Sequence, residues 1–324
     1  MTNRNFLHLT GGLGNQLFQL AAGLNFSTDQ DLFVAVKNGK PRLNQFGEPD
    51  LLSFTLPNSV KVLKEEKFSR LASKVFGYVI RVGVNPRNFE SSRLFKYVVR
   101  FLASVVASIH FKDFAKVMRV SGVGYVGKRQ HANMFIGYFQ TFKYAEDPHV
   151  LEQMTSLRLS NPGLRFEELV EIISGSKTII VHLRRGDYVN ETSFGLIGSD
   201  YYLECINELV TSKLYNSIWV FSDDLDAARE IFEGKFVIGC EFIGDVDNSS
   251  ASVLELMRFG SAYVIGNSSF SWWGAYLRHD RTAPVFAPVP WFLGQVEPEQ
   301  LIPGEWARRN GHHFSHSPLQ LGSD

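Results

Sequence analysis

Short apolar segments alternate with helical ones in both halves of the chain. Residues 6–10 (FLHLT) predict a strand. A glycine loop and an apolar helix follow it, and residues 32–36 (LFVAV) predict a second strand. The order strand, loop, helix, strand is typical of a parallel sheet. The first half is therefore predicted to be an α/β domain.

The second half repeats this alternation more clearly. Four short runs rich in β-branched and aromatic residues predict strands at residues 178–183, 217–222, 236–239 and 262–267. Helical segments lie between them at residues 199–214, 225–234 and 251–260. We expect a parallel, doubly wound sheet, in which ligands lie outside the carboxyl ends of the strands.

The length of the chain, 324 residues, is sufficient for two domains. We expect an N-terminal domain over residues 1–155, a C-terminal domain over residues 156–307, and a loose polar tail from Arg308. A loop is predicted near the junction, at residues 161–163 (NPG).

Composition narrows the class of protein. Hydrophobic residues make up 44% and charged residues 20%, as in globular proteins. No run reaches the roughly 20 apolar residues that a membrane-spanning helix needs, and the first residues lack the apolar stretch of a signal peptide. Cys205 and Cys240 lie in apolar surroundings and are expected to be buried free thiols. Together these features favour a cytoplasmic protein.

One section of the chain is strongly basic. Residues 61–129 hold fifteen Lys or Arg and four Asp or Glu, a net charge of +11 in a chain whose total is zero. Six apolar residues in this section recur at helical spacing: Leu94, Val98, Phe101, Leu102, Val105 and Ile109. Two interpretations stay open. Either a solvated helix covers the first domain, or the section (residues 61–130) contacts an anionic membrane surface on its cytoplasmic side.

The glycine loop at residues 11–16 (GGLGNQ) is the first polar cluster. Its backbone N–H groups can bind an anion at the N-terminus of the following helix, although a purely structural turn is the alternative. A dinucleotide-binding motif would need Gly at position 17, where the chain has Leu17, so an NAD-dependent oxidoreductase is disfavoured. Asn15 and Gln16 offer amides that suit a sugar or a phosphate.

A pair of arginines, Arg184 and Arg185, follows the strand at residues 178–183. Adjacent guanidinium groups repel each other unless an anion binds, and their paired donors suit a diphosphate. Asp187 is expected to hold one of them before the ligand arrives. The alternative is a structural ion-pair cluster without a ligand.

Two further clusters follow predicted strands. In residues 266–275 (GNSSFSWWGA) the serines open a helix whose free N–H groups suit a phosphate, while Trp272 and Trp273 are expected to pack in the core. In Ser222-Asp223-Asp224 a carboxylate can accept hydrogen bonds from guanine. Asp224 and Asp226 also form an Asp-x-Asp pair that could hold a metal, but N-capping of the next helix by Asp226 is a sufficient explanation.

Four segments, GGLGNQLFQ, HLRRGDYV, FSDD and GNSSFSWWGAYL, resemble the α-1,2-fucosyltransferase family in their order and spacing. IGYFQTFKYAE and LIPGEW are similar to that family too, so the resemblance spans residues 8–306. It implies a GT-B fold, in which two Rossmann-like domains with parallel sheets face a cleft. It also implies inverting transfer of L-fucose from GDP-fucose to a glycan hydroxyl, the 2-hydroxyl of galactose. Fucosyl transfer with another linkage, or a non-catalytic nucleotide-sugar-binding protein, are the alternatives.

The resemblance also assigns roles to residues. The positions expected to act in catalysis are Asn15, Arg184, Arg185 and Asp187. The positions expected to bind GDP-fucose are Gly12, Gly14, Gln16, His182, Ser222, Asp223, Asp224, Asn267, Ser268, Ser269 and Phe270. The positions expected on the acceptor side are Tyr138 and Gln140.

Several points stay open at this stage. Either Asp223 or Asp224 matches the position that reads guanine, and the candidates for a general base are His182, Glu255 and Asp187. The acceptor is a glycan, free or lipid-linked, and no metal, cofactor or nucleic acid is expected. Residues 258–263 (RFGSAY) depart from the family pattern, which bears on the acceptor more than on the donor.

Overall fold

The chain folds into two compact units, unit 1 (Met1–Ser160) and unit 2 (Asn161–Asp324). The junction thus follows residue 160 rather than the expected residue 155. The structure, a computed structural model, describes residues 4–28, 30–35, 41–63, 97–98, 101–102, 104–106, 108–109, 117–120, 122–125, 127, 133–186, 195–293 and 296–313.

Unit 1 is built on a parallel sheet. Within the described residues its strands are β1 (Asn5–His8), β2 (Leu32–Ala35), β4 (Val60–Leu63), β5 (Val117–Val120) and β6 (Met134–Gly137). A separate antiparallel pair joins β3 (Phe54–Thr55) to β7 (Arg158–Leu159). The order in the main sheet is β4-β2-β1-β6-β5, with every neighbouring pair parallel. The direction of winding therefore reverses between β1 and β6.

The described helices of unit 1 gather around one helix, which contacts β1. They are α1 (Leu13–Phe26), a 3-10 turn (Asp50–Ser53), α2 (Phe142–Ala145) and α3 (Pro148–Thr155). Nearly every residue of α1 is buried, including the polar Gln16 and Gln19, whose amides are hydrogen-bonded to backbone. Asp147 caps α3 with its carboxylate, and Pro148 occupies the first helical position, where its missing N–H costs nothing.

The helical residues described within the basic section are 97–98, 101–102, 104–106 and 108–109. Six of their apolar side chains are 39% to 74% exposed, namely Tyr97, Val98, Phe101, Leu102, Val105 and Ile109, while Val106 is half-buried. A helix that covered the first domain with this stripe would bury it, so the exposure does not support that interpretation. Leu94 lies outside the described residues.

Unit 2 contains one parallel sheet with helices between its strands. The strands described are β8 (Thr178–Leu183), β9 (Ser217–Ser222), β10 (Gly239–Ile243), β11 (Ala262–Ile265), β12 (Val285–Val289) and β13 (Ala307–Asn310). The helices described are α4 (Leu164–Ser174), α5 (Ser199–Thr211), α6 (Leu225–Phe232), α7 (Ser250–Met257) and α8 (Ser269–Tyr276).

The strand order in unit 2 is β10-β9-β8-β11-β12-β13, and all neighbours are parallel. Numbered from β8, this is the order 3-2-1-4-5-6 of the Rossmann fold, which reverses between β8 and β11. All residues of β8 are buried, as expected for a central parallel strand. Helix α5 packs Tyr201, Cys205 and Ile206 into the same core.

The prediction of an α/β fold with two Rossmann-like units is confirmed, but the edges of the second sheet differ from expectation. Ala307–Asn310 form β13, although a loose tail was expected from Arg308. The strand predicted at residues 236–239 lies instead at Gly239–Ile243. Both are edge strands with half-exposed faces, so their sequences lack the apolar signature of central strands.

The two cysteines are free, as predicted. Cys205 is buried, and burial raises the pKa of its thiol to about 12. Cys240, expected to be buried, is only half-buried because it lies on edge strand β10. No described helix has both the length and the apolar character that crossing a membrane requires.

Candidate active site

The polar loops of unit 2 gather where the strand order reverses. The register of β8 and β11 pairs His182 with Ile265, so these two strands end side by side. Gly266 N–H then donates to the carbonyl of His182 at 3.2 Å. A Cβ at Gly266 would lie only 2.7 Å from Tyr202 Oη, so glycine allows this close packing. Open α/β sheets bind ligands in the crevice at such a reversal.

Arg184 and Arg185 lie directly after β8, as predicted. Their side chains are partly exposed, at 25% and 13%. Arg184 Nη1 lies 2.8 Å from Asp223 Oδ2, and Arg185 Nε lies 3.7 Å from Asp224 Oδ2. Each arginine thus faces a carboxylate while part of its surface stays open to solvent.

These carboxylates come from the neighbouring strand. The register pairs Leu183 of β8 with Ser222 of β9, so the two loops leave the sheet together. The backbone N–H of Arg185 also donates to Asp223 Oδ1 at 2.9 Å. Asp187, the partner expected from the sequence, lies outside the described residues. In the described part of the chain, the arginines are held by the loop after β9.

Gly186 is a residue whose role the sequence analysis missed. A Cβ at this position would lie 2.4 Å from Asp223 Oδ2, closer than van der Waals contact permits. Only glycine lets the carboxylate approach the loop so closely. The glycine within HLRRGD was visible in the sequence, but its reason depends on the neighbouring strand.

His182 is buried at the end of β8, with 5% of its surface exposed. Burial, and next the positive charge of Arg184, lower the pKa of its imidazole to about 4. Among the described residues, no group lies within hydrogen-bonding distance of its Nδ1. The Phe270 ring lies 5.7 Å away, centroid to centroid. This imidazole is therefore held neutral, with its Nδ1 buried.

The loop between β11 and α8 contains the predicted serines. Ser268 caps α8, because its hydroxyl accepts from Phe270 N–H at 3.3 Å. Ser271 Oγ donates back to the carbonyls of Gly266 and Ser268. Ser269 and Phe270 are half-buried at the start of the helix. The free N–H groups of this first turn are the type of group that binds phosphate.

Asn267 and Ser222 make mainly internal contacts. Asn267 Nδ2 donates to the carbonyls of Gly195 and Trp291, and only 2% of the residue is exposed. Ser222 Oγ accepts from Asp224 N–H and donates to the carbonyl of Asp224, both at 3.0 Å. Both side chains therefore hold the backbone of the loops that carry the charged residues.

The aspartate that caps α6 differs from expectation. Asp224, not Asp226, accepts from Ala227 N–H at 3.1 Å and is the N-cap. The cap falls earlier because the helix begins at Leu225. Asp226 is exposed in the first turn. A search of the described residues finds no cluster of three or more His, Cys, Asp or Glu that could hold a metal.

Trp272 and Trp273 are fully buried and pack against each other at 4.8 Å between ring centroids. Their predicted place in the core is confirmed.

The glycine loop of unit 1 follows β1. Gly11 has φ +75°, a conformation that favours glycine, and Gly12 is the N-cap of α1. Gly14 is buried in the first turn. Gln16 is fully buried: its Nε2 donates to the carbonyls of Gly11 and Arg42, and its Oε1 accepts from Leu51 N–H. A ligand would have to replace these hydrogen bonds to reach Gln16, so the described contacts of its amide are structural.

Asn15 and Gln140 meet at the reversal point of unit 1. Gln140 Nε2 donates to Asn15 Oδ1 at 2.7 Å. Gln140 follows β6. Phe139, which lies between this strand and Gln140, is fully buried and has φ +53°. Non-glycine residues adopt this conformation at a cost, which occurs often at functional sites. Tyr138 is half-buried, and burial raises the pKa of its hydroxyl.

The segment that departs from the family pattern lies at the opposite end of the sheet. Arg258 and Phe259 follow α7, before β11 begins at Ala262. Arg258 Nη1 donates to Glu255 Oε2 at 2.6 Å, and both side chains are at least 95% buried. A Cβ at Gly260 would lie 2.2 Å from Ile180 Cγ1. This departure therefore changes packing at the amino end of β11, away from the polar loops.

Comparison with known proteins finds relatives over most of the chain. An α-1,2-colitosyltransferase of Escherichia coli is 26% identical over 93% of this chain and 97% of its own length. The O-antigen biosynthesis glycosyltransferase WbnK of E. coli is 24% identical over 88% of this chain and 94% of its own. The crystal structure of the fucosyltransferase NodZ from Bradyrhizobium is similar, with a TM-score of 0.46, 14% identity, and coverage of 85% of this chain and 93% of NodZ.

The model of a protein family, described as Glycosyl transferase family 11, matches residues 107–299. This match covers more than half of the chain and includes the loops after β8, β9 and β11. The family resemblance found in the sequence is confirmed, and the chain belongs to glycosyl transferase family 11.

Proposed function

We propose that this protein is an inverting glycosyltransferase that moves L-fucose from GDP-fucose to the 2-hydroxyl of a galactose in a glycan, which gives an α-1,2 linkage. The observation that carries the proposal is the pair Arg184 and Arg185, partly exposed after β8. They lie at the reversal of a 3-2-1-4-5-6 sheet, the position at which such sheets bind nucleotides. Membership of a glycosyltransferase family supports sugar transfer, and the name of the E. coli colitosyltransferase supports the linkage.

The donor diphosphate is proposed to bind the two arginines and the N-terminus of α8. Guanidinium groups and free helix N–H groups both favour phosphate oxygens. His182 lies beside them with its Nδ1 buried and without a described hydrogen-bond partner, so covering atoms must move before a hydroxyl or amide of the nucleotide pairs with it. Asn15, Tyr138 and Gln140 of unit 1 remain proposed contacts of the sugars.

The reaction exchanges one bond to the anomeric carbon of fucose for another. The acceptor oxygen forms a bond to this carbon as the bond to the β-phosphate oxygen breaks, and GDP leaves with the bonding electrons. Negative charge grows on the leaving oxygen, and the arginines neutralise it without a divalent ion. Fixed donors of this type are commonly worth about 3–4 kcal/mol each in the transition state.

The acceptor hydroxyl loses a proton, and two of the candidate bases fit poorly. Glu255 is paired with buried Arg258 at the amino end of β11. His182, with a pKa of about 4, is a weak base at neutral pH. Asp187 lies outside the described residues, so we assign no base.

The assay should also include a second donor. The relative that is 26% identical is named for colitosyl transfer, and a change of sugar would leave the diphosphate site unaltered. The test is incubation with GDP-fucose and, separately, with a colitosyl donor, against a panel of galactosides and other saccharides. Linkage is then determined by NMR. An α-1,2-fucosyl product supports the proposal. The proposal is contradicted if GDP is released without transfer of the sugar, or if a donor binds with neither GDP release nor transfer.

We also propose that the basic section contacts an anionic membrane, where a lipid-linked glycan acceptor would be found. Support comes from the net charge of +11 over residues 61–129 and from the exposed stripe at residues 97–109. Apolar side chains can enter the headgroup region while basic residues near anionic lipid each add about 1 kcal/mol.

Liposome sedimentation tests this contact. Binding should require anionic lipid, weaken at high salt, and fall when Phe101 and Ile109 are changed together to Ser. Val237→Ser is a matched control, since Val237 is 92% exposed in unit 2. Equal sedimentation with neutral and anionic vesicles would remove the proposal without touching the proposed reaction.

A further inference from the structure

The Asp223 carboxylate contacts Arg184, Arg185 and Gly186, which we call the arginine loop. Its Oδ2 lies 2.8 Å from Arg184 Nη1, and its Oδ1 accepts from Arg185 N–H at 2.9 Å. Gly186 leaves room for it, because a Cβ there would be 2.4 Å from Oδ2. One side chain from the loop after β9 thus contacts three consecutive residues after β8.

A carboxylate and a phosphate compete for the same face of a guanidinium. A planar carboxylate and a tetrahedral phosphate each offer a pair of anionic oxygens that accept paired N–H donors. Because Asp223 pairs with Arg184, a carboxylate of the protein already occupies part of the position expected for the diphosphate. The pair is not locked in the core, since the two side chains are 25% and 28% exposed. Exposed pairs of this type contribute little, so an incoming anion can replace one.

We propose that Asp223 holds Arg184 as a stand-in for the diphosphate, and that donor binding exchanges this ion pair. The diphosphate takes Arg184, while Asp223 Oδ1 keeps the N–H of Arg185 and so keeps the loop in place. The freed Oδ2 then accepts hydrogen bonds from the guanine edge. Binding of the phosphates and selection of the base are therefore coupled through one carboxylate. This inference rests on the proposed use of a GDP-linked donor.

Asp224 is a poorer candidate for this role. Its Oδ1 caps α6 through Ala227 N–H, and its backbone is tied to Ser222 by two hydrogen bonds. Its approach to Arg185 Nε, at 3.7 Å, is longer than a hydrogen bond. Asp224 Oδ1 caps the helix and its Oδ2 stays beside Arg185, whereas Asp223 Oδ2 is the oxygen that is released when the phosphates take Arg184.

The coupling predicts opposite effects of one substitution on two ligands. In Asp223→Asn the internal anion is lost, so pyrophosphate should bind at least about threefold more tightly than to the wild type. GDP should bind about tenfold more weakly, because guanine loses a charged acceptor. The wild type should prefer GDP over inosine diphosphate, which lacks the exocyclic amine, and Asp223→Asn should lose this preference. Isothermal titration calorimetry gives all three comparisons.

Asp226→Asn is the matched control. It removes an exposed carboxylate three residues further along the same loop and helix, and it should leave all affinities unchanged. If pyrophosphate binds Asp223→Asn no more tightly than the wild type, the exchange is wrong. If both variants tighten pyrophosphate equally, the effect is one of net charge, and the exchange is again wrong.

Crystals of the wild type with and without GDP supply a test that does not depend on the variant folding. The exchange requires Arg184 to leave Asp223 when GDP is bound, with the Nη1–Oδ2 distance beyond 4 Å. A bound GDP with the 2.8 Å pair intact overturns the inference while leaving the proposed function standing. Exchange on GDP binding without any sugar transfer would leave the inference standing and overturn the function.

Discussion

Gln140 Nε2 donates a 2.7 Å hydrogen bond to Asn15 Oδ1, and this bond joins the first turn of α1, the helix that follows β1, to the segment after β6. These strands flank the reversal of the unit 1 sheet, as β8 and β11 flank the reversal in unit 2. Each unit therefore gathers its predicted polar residues at the position where open α/β sheets bind ligands. The buried, left-handed Phe139 next to Gln140 indicates that this local geometry is maintained at a cost.

Removal of either arginine should reduce sugar transfer far more than stability. We expect Arg184→Ala and Arg185→Ala each to lower kcat at least about a hundredfold, since in the proposed mechanism each removes a positive charge that stabilises the leaving oxygen. Lysine at either position should recover only part of the loss, because an ammonium keeps the charge but not the paired donors. Steady-state kinetics of transfer from GDP-fucose measure both effects.

The same variants distinguish a ligand site from a structural ion-pair cluster. A purely structural role would lower the melting temperature and leave turnover of the remaining folded enzyme near the wild-type value. Near-normal turnover in both alanine variants would contradict the role in binding diphosphate.

The second sheet was predictable because its central strands are buried on both faces. β8, β9 and β11 carry continuous apolar runs, which a sequence reveals directly. β13 has the sequence ARRN, and its arginines find partners that only the fold supplies: Arg309 pairs with Glu208 and lies over Phe286. Because this edge strand is stabilised by residues distant in the sequence, no local sequence pattern predicts it.

The candidate site shows the same limit. The arginines, serines and aspartates were each identified from their place after a strand. Which carboxylate faces which arginine depends on β8 and β9 being neighbours, as the pairing of Leu183 with Ser222 shows. For the same reason the sequence could not assign a packing role to Gly186, whose constraint comes from Asp223.

Transfer should not depend on a divalent ion. We propose that the arginines provide the positive charge, and Asp224, one half of the Asp-x-Asp pair, is occupied as a helix cap. Activity should therefore be unchanged, within error, after dialysis against EDTA. Loss of activity that Mn²⁺ restores would favour the metal alternative.

Gly186→Ala should disturb the arginine loop through Asp223. The added methyl would lie 2.4 Å from Asp223 Oδ2, so either the carboxylate or the loop must move. The methyl meets the end of a partly exposed side chain rather than backbone or core, so the carboxylate can move and folding free energy should fall by less than about 1 kcal/mol. The resulting misplacement of Arg184 should slow transfer by roughly ten- to a hundredfold. Thermal unfolding and kinetics measure the two effects.

Gly239→Ala is the control for this substitution. A Cβ at Gly239 would have no atom within 4 Å, and the residue lies on edge strand β10. This variant should keep both stability and transfer close to the wild type. Wild-type kinetics in Gly186→Ala would show that the loop tolerates a side chain and that Asp223 does not depend on the glycine.

Stability should depend on the neutral state of His182. Burial, with Arg184 nearby, lowers the pKa of this histidine from 6.5 to about 4 in the folded protein. Between these values the unfolded chain binds a proton that the folded protein does not, so acid favours unfolding. The contribution of His182 is fully present above about pH 6.5 and is lost as the pH falls toward 4, a change of about 3 kcal/mol.

His182→Gln cannot take up this proton, so its free energy of unfolding should fall less between pH 7 and pH 4.5 than that of the wild type. Urea unfolding at the two pH values measures the difference, with His149→Gln, an exposed position on α3, as the control that should retain the wild-type slope. Equal pH dependence in His182→Gln and the wild type would mean that His182 titrates normally, and that the imidazole beside Arg184 is not held neutral.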